Sequence, residues 1–338
     1  MIPSVIARQV QQGVKDFLRT TFPIATPHFR HLLDSLVERE NGLFQGPYLS
    51  IHLPFRQGQG GKDFFPDVPL KFPPYLHQER AFQRLSGERP RSTLVATGTG
   101  SGKTECFLYP ILDSCHRQRG EPGIKAILIY PMNALATDQA GRLARTIWNN
   151  PKLKGNVTAG LFVGQSEKEP SMVMGPEGIV TNKETLRLKP PDILLTNYKM
   201  LDYLLIRVKD FPLWKFNGPE TLRFLVVDEL HTFDGAQGTD LACLIRRLKA
   251  RLKTPPGFLC CVGTSATLGS EDEKRRLIRY AEEVFGEPFD DGAVLQPVPE
   301  GLRTGGPEAV PVLRRGRADP GLPIQPAHDA PGKAQRTP

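Results

Sequence analysis

The sequence predicts an α/β protein whose parallel sheet is covered by helices on both faces. Three observations carry that expectation. From about residue 75 to 285, short apolar segments alternate with longer amphipathic ones. The short segments are continuously apolar, the pattern of strands buried on both sides. The first of them runs into a Gly-rich turn that opens a helix, the strand–loop–helix unit of parallel sheets. Around this sheet domain, taken as 71–295, the sequence predicts an N-terminal extension over 1–70 and a disordered tail over 296–338.

Composition narrows the class. Of 338 residues, 39% are hydrophobic and 24% charged, which excludes wholesale disorder. No apolar run approaches the roughly 18–20 residues that span a bilayer, so no membrane association is expected. The start, Met1-Ile2-Pro3-Ser4, lacks a charged segment followed by an apolar one, so no secretory signal is read there. The five cysteines, Cys106, Cys115, Cys243, Cys260 and Cys261, are odd in number and form no Cys-x-x-Cys pair. Disulfide frameworks and zinc ribbons are thereby disfavoured, and the cytoplasm is the expected compartment. A net charge of +8 favours a polyanionic partner.

The elements follow in order. Val5, Val10, Val14 and Phe17 recur at helical spacing, as do Phe29, Leu32, Leu33 and Leu36, with Pro23 and Pro27 between the two stretches. Leu43, Tyr48, Ile51, Leu53 and Phe55 suggest short strands over 41–56, and the Gly/Pro/Asp-rich 57–74 a linker or wrapping loop. Strands are expected at 92–96, 126–130, 158–163, 192–196, 224–227 and 259–263. Helices are expected at 104–116, 133–148, 239–253 and 271–285. The helix over 239–253 sets Arg246, Arg247, Lys249, Arg251 and Lys253 opposite a leucine-rich face, and a solvated basic face is the simpler expectation than a nucleic-acid surface. Cys260 and Cys261 read as core. From 301 on, six basic and three acidic residues share 38 positions with seven Pro and six Gly, a composition that cannot offset its chain entropy by burial.

The strongest local signal is Ala96-Thr-Gly-Thr-Gly-Ser-Gly-Lys103-Thr104. After a strand and before a helix, this is a phosphate-binding loop. Thr97, Gly98, Thr99, Gly100, Ser101 and Gly102 would wrap successive N–H groups around phosphate oxygens, and the helix N-terminus adds its partial positive charge. Lys103 would reach the β- and γ-phosphates, and the Thr104 hydroxyl would ligate Mg²⁺; the loop alone leaves kinases, GTPases, transporters and motors open. The general pattern has Gly where Thr97 stands, so Gly98 is expected to serve the turn. A second strand, 224–227, delivers Asp228-Glu229 at its carboxyl end. Asp228 suits Mg²⁺ held through water, and Glu229 suits orientation of an attacking water.

Four further segments stand in order around these two: Tyr75-Leu-His-Gln78, Tyr130-Pro-Met-Asn-Ala-Leu135, Leu195-Thr-Asn-Tyr198 and Thr264-Ser-Ala-Thr267. With the phosphate loop and Asp228-Glu229, the set resembles the first RecA-like domain of superfamily 2 helicases of the DEAD/DEAH-box type, over about residues 40–290. The wording of the segments is similar to the bacterial branch related to YprA and Lhr, whose full-length members carry a C-terminal cysteine cluster. The resemblance implies a RecA-like P-loop NTPase fold with ATP and Mg²⁺ as cofactors. It implies that Gln78 reads adenine, that Lys103, Thr104, Asp228 and Glu229 serve nucleotide and metal, and that His231, Ser265, Ala266 and Thr267 couple hydrolysis to domain movement. Pro131, Asn133, Thr196 and Asn197 would hold a nucleic-acid backbone, although many relatives place Arg where this chain has Asn133.

Such motors need a second RecA-like domain, and no second run of strands and helices follows residue 295. The expectation is therefore the first half of a motor, completed by a second domain in cis or in trans, with weak activity on its own. The resemblance points to DNA ahead of RNA, in repair or in defence against foreign DNA. A non-motor nucleic-acid or partner-binding module that keeps the P-loop fold is the rival reading. Intact Lys103, Asp228 and Glu229 speak against it.

Overall fold

The structure, a computed structural model, describes residues 3–29, 31–39, 43–44, 54–98, 100–164, 169–266 and 270–299. The strands expected over 45–53 and the tail from residue 300 lie outside the described residues, as do Thr99 and Thr267. Within the described part of 41–56, Leu43 stands in a bend, and Phe55 makes an isolated antiparallel bridge to Pro299.

The chain opens with helix α1 (Pro3–Thr21) and the short α2 (Leu32–Val37), separated by the two prolines. Lys15 and Arg19 of α1 reach Glu38 at 2.7 Å each, and Arg19 reaches Asp34 at 2.8 Å, so charges tie the pair. Next come α3 (Leu76–Leu85), β1 (Thr93–Ala96), α4 (Lys103–Arg117), β2 (Ala126–Tyr130) and α5 (Asn133–Trp148). Strand β3 (Ala159–Phe162), α6 (Lys183–Leu188), β4 (Ile193–Asn197), α7 (Tyr198–Ile206) and β5 (Phe224–Val227) follow. The described chain ends with α8 (Gly235–Leu252), β6 (Cys260–Ser265), α9 (Glu271–Phe285) and β7 (Val294–Leu295).

Among the described residues the strands form one parallel sheet in the order β3-β4-β2-β5-β6-β1-β7. Continuous apolar runs make this possible, because both faces are buried. Leu94, Ile127, Ile129, Leu225, Val227 and Cys261 face α7, α8 and α9. Their neighbours in sequence, Ala126, Leu128, Phe224, Val226, Cys260 and Val262, face α3, α4 and α5. Each fully buried Leu, Ile or Val there contributes about 1.5–3 kcal/mol relative to exposure. Cys260 and Cys261 are core, and burial pushes the Cys260 thiol up to about 12, which leaves it unreactive.

Of the two readings of 57–74, linker or wrapping loop, the structure shows the second. Phe65, Val68 and Leu70 are buried against the α3/α4 side, with the Phe65 ring 5.2 Å from that of Phe82. Helix α9 begins with a reciprocal cap: the Ser270 hydroxyl accepts from the Glu273 N–H, and the Glu273 carboxylate from the Ser270 N–H. Helix α8 starts at Gly235, four residues before the expected start. Its first turn, Gly-Ala-Gln-Gly, carries no apolar periodicity. Gly238 is required there for a close approach, since a Cβ would lie 2.7 Å from both the Phe233 carbonyl and the Tyr280 hydroxyl.

The basic face of α8 is not simply solvated, which corrects the sequence expectation. Arg246 donates to the Glu283 carbonyl, Arg247 pairs with Asp202 at 2.6 Å, and Arg251 lies 4.1 Å from the Phe211 ring. Lys249 donates to the Gly286 carbonyl and pairs with Glu287, which is only 5% exposed. Those cations fasten α8 to α7, to α9 and to the segments that follow each of them. Strand β7 was also not foreseen. It is two residues long, too short for a periodicity signal, and is held by pairing with β1.

Candidate nucleotide and nucleic-acid site

The strand order decides where the motifs meet. Chain order runs from β1 to β2, yet β6 and β5 lie between them in the sheet. That inversion opens a crevice at the carboxyl edge, where α/β sheets bind ligands. Along this edge the chain sets Asn197 after β4, Asn133 after β2, Asp228 and Glu229 after β5, Ser265 at the end of β6, and the phosphate loop after β1. The registers Ala96 with Ser265 and Val227 with Gly263 hold the last three side by side.

The loop between β1 and α4 is shaped by its own small residues. Gly100 and Gly102 take φ of +77° and +78°, a left-handed backbone that glycine adopts without penalty. The positive angles thus fall two and four residues after Gly98. Gly98 serves instead through its carbonyl, which accepts from the Ser101 hydroxyl at 2.7 Å. Thr97 and Ser101 are fully buried, with their hydroxyls 2.6 Å apart. At the position where the general pattern has glycine, the threonine therefore closes the base of the loop.

Lys103 opens α4, and its ammonium lies 2.7 Å from a Glu229 carboxylate oxygen. Glu229 is one of two described non-glycine residues with positive φ, at 49°. A left-handed residue costs about 1–2 kcal/mol and breaks the strand alternation. Its effect is that two consecutive carboxylates, Asp228 and Glu229, line one cavity. Thr264 fixes both: its hydroxyl donates to Asp228 at 2.6 Å and accepts from the Glu229 N–H at 2.9 Å. Burial pushes the Asp228 carboxyl above its usual value, opposed by the Thr264 hydrogen bond. His231 Nδ1 stands 3.4 Å from Glu229 and 3.4 Å from the Ser265 hydroxyl, so the imidazole links the acid to β6. Ala266 is exposed beside it.

The other wall comes from the start of α3. Gln78 accepts from the Tyr75 N–H at 2.9 Å and donates to the Gly102 carbonyl at 3.2 Å. One amide hydrogen and one lone pair remain, the pair that adenine N7 and N6 require. His77 donates from Nε2 to the Ser101 carbonyl at 3.0 Å. Glu79 accepts from the N–H groups of Gln59 and Gly60, which ties the wrapping loop to the same helix turn. A cavity of about 850 Å³ lies between these walls, bordered by Pro73, Pro74, Tyr75 and Gln78 at one end and Lys103, Thr104, Asp228 and Glu229 at the other. That volume suits a nucleotide.

The nucleic-acid candidates occupy the other half of the edge. The Asn197 amide donates to the Asn133 side chain at 2.6 Å, and its oxygen caps α7 by accepting from the Met200 N–H at 2.8 Å. Pro131 and Asn133 are half-buried. Thr196 is fully buried, and its hydroxyl donates to the Phe162 carbonyl. The structure thus sets the described candidates along or beside one sheet edge, with the Thr196 side chain buried against the neighbouring strand. Sequence reading passed over His77 and Thr264. Both stood inside quoted motifs, and the available signal was a polar residue at an otherwise apolar, buried position.

This fold and site define a P-loop ATPase lobe of the helicase type. A model of the DEAD/DEAH box helicase family matches residues 75–275, and the chain belongs to that family. The Druantia protein DruE of Escherichia coli is 30% identical over 63% of this chain and 17% of that protein. The uncharacterized ATP-dependent helicase YprA of Bacillus subtilis is 29% identical over 65% of this chain and 26% of that protein. The solved structure of Mycobacterium smegmatis helicase Lhr, bound to single-stranded DNA and AMP-PNP, covers 66% of this chain and 26% of its own at 22% identity, with a TM-score of 0.50. The last supports the fold. The chain spans about a quarter or less of these relatives, and it carries the ATP-dependent motor domain of a superfamily 2 helicase in the YprA/Lhr-like branch. Among the described residues, no helix is long and apolar enough to cross a membrane.

Proposed function

We propose that this chain is the first lobe of a DNA-translocating motor, acting in the cytoplasm in repair or in defence against foreign DNA. The supporting observation is the linked row Lys103–Glu229–His231–Ser265 at the carboxyl edge, with Asp228 held beside it by Thr264. Lys103 and the loop N–H groups bind the phosphates. Gln78 reads the adenine edge with its free hydrogen and lone pair. Glu229 leaves Lys103 when phosphate arrives and holds the attacking water. His231 then passes the state of Glu229 to Ser265 by exchanging hydrogen bonds, and Ala266 and Thr267 share in coupling hydrolysis to movement of a second lobe.

The residues fit Mg²⁺. Asp228 and Thr104 border the same cavity, and nucleotide-bound Mg²⁺ takes few protein ligands and keeps water. Bound there, the ion would neutralise phosphate charge as the terminal bond breaks. Pro131, Asn133 and Asn197 line the nucleic-acid half and bind backbone, Thr196 through its main chain. A second RecA-like lobe, in cis or in trans, completes the ATP site with cationic side chains worth about 10³–10⁵ in rate. The Lhr helicase, whose solved structure holds single-stranded DNA, supports DNA ahead of RNA.

The test compares ATP turnover with single-stranded DNA, with RNA and with neither, for the native chain and Glu229→Gln. We expect nucleotide binding in both, turnover only in the native chain, and stimulation by DNA above RNA once a second lobe is supplied. Unchanged turnover in Glu229→Gln would favour a non-motor binding module. Robust unwinding without a second lobe would also overturn the scheme.

A further inference from the structure

The first turn of α3 does more than carry the adenine-reading Gln78. Consecutive side chains there hold consecutive carbonyls of the phosphate loop: His77 takes Ser101 O at 3.0 Å, and Gln78 takes Gly102 O at 3.2 Å. A carbonyl only accepts, so the His77 hydrogen must sit on Nε2, which fixes the neutral tautomer. Nδ1 is buried with no partner, and His77 itself is 1% exposed. Its ring is stacked on Tyr75 at 5.7 Å and edge-on to Phe55 at 5.6 Å, which leaves one degree of freedom, the Nε2–H direction, already spent on the loop. A purely packing residue at this place would be apolar, because an unpaired buried nitrogen is unfavourable by about 1–3 kcal/mol.

The consequence follows from peptide geometry. In a trans peptide the C=O of one residue and the N–H of the next point in opposite directions. Pulling the Ser101 carbonyl toward α3 turns the Gly102 N–H away from α3, into the loop. Pulling the Gly102 carbonyl does the same to the Lys103 N–H. Gly102 has φ of +78°, a flexible position that would not hold these planes by itself. We propose that His77 is a positioning residue for phosphate: its Nε2–H aims the Gly102 amide at the phosphate chain of a nucleoside di- or triphosphate. This rests on the nucleotide-binding reading above.

The test uses the full chain and fluorescent mant-ADP and mant-ATP with Mg²⁺, with AMP measured by competition. His77→Phe keeps the ring and loses the donor. His77→Gln puts an amide N–H the same number of bonds from Cβ and keeps it. We expect His77→Phe to bind ADP and ATP about tenfold more weakly, the size of one lost orienting hydrogen bond, with AMP affinity unchanged. His77→Gln should return to within about twofold of native. If His77→Phe melts early, His77→Met replaces it as the variant without a donor. Native ADP affinity in the donor-less variant overturns the proposal, as does a parallel loss for AMP or a failure of His77→Gln to recover. Failure of the native chain to bind either nucleotide would instead overturn the nucleotide reading itself.

Discussion

Glu229 concentrates the chemistry of this protein. It is left-handed, it accepts from Lys103, and it sits beside His231. Glu229→Gln keeps the shape and removes the base, so turnover should fall about 10²- to 10⁴-fold while mant-ATP binding persists. Glu229→Gly should melt higher than native, since it relieves a strain of about 1–2 kcal/mol, and remain inactive. Thr264→Val tests the neighbouring link. It removes the hydroxyl shared by Asp228 and the Glu229 N–H at nearly constant volume, and should cost about 1–3 kcal/mol by thermal melting. His77 carries a pH signature. Burial lowers its pKa below the usual 6.5, so the stability it contributes is complete above 6.5 and lost as pH falls through its folded value. The groups facing it are Tyr75, Phe55 and the Ser101 carbonyl. Melting of His77→Phe should therefore be less acid-sensitive than native between pH 7 and the lowered folded value, measured without nucleotide.

Two elements change meaning between sequence and structure. The cations of α8 fit a solvated face on a helical wheel, but Lys249 anchors the nearly buried Glu287. Lys249→Ala would strand that carboxylate and should destabilise by about 3–5 kcal/mol in denaturant melts, with nucleic-acid affinity unaltered. Loss of nucleic-acid affinity in a variant of native stability, such as Arg247→Ala, would restore the nucleic-acid reading of this face. Helix α3 likewise binds more than its apolar face announces. Its Arg84 donates to both oxygens of Asp290 at 2.9 Å and to Thr93 and Ser92, which pins the segment before β7. The Arg84 guanidinium holds the Asp290 carboxyl below its usual 3.8. The contribution is full above 3.8 and disappears as pH falls through the lower folded value. Asp290→Asn should therefore melt below native at pH 7, with the gap closing in acid.

At the scale of the whole molecule, one sheet edge carries the nucleotide candidates and the backbone-binding candidates side by side. The nucleotide loops hang from β1, β6 and β5, and the backbone-binding candidates from β2 and β4. Because β5 borders β2, a change at Glu229 is one strand away from Asn133. This adjacency makes coupling between ATP and nucleic acid a property of strand order. Asn133→Ala should leave mant-ATP affinity unchanged and reduce DNA stimulation of turnover in the two-lobe motor, read as the ratio of stimulated to basal rate.

The sequence by itself determined the class of fold, the phosphate loop, the acid pair and the helix bounds of α5 and α9. These depend on local signals: apolar runs, glycine at turns, and a Ser–Glu cap. Only the tertiary structure decided strand order, and with it which loops share the crevice. It alone decided that Thr97 closes the loop base, that α8 turns its cations to its neighbours, and that His77 and Thr264 contact the phosphate loop and the acid pair. The physical reason is common to all but one of them. Apart from Thr97, whose hydroxyl partner Ser101 is only four residues on, each depends on a contact between residues distant in sequence, and no local pattern encodes the partner.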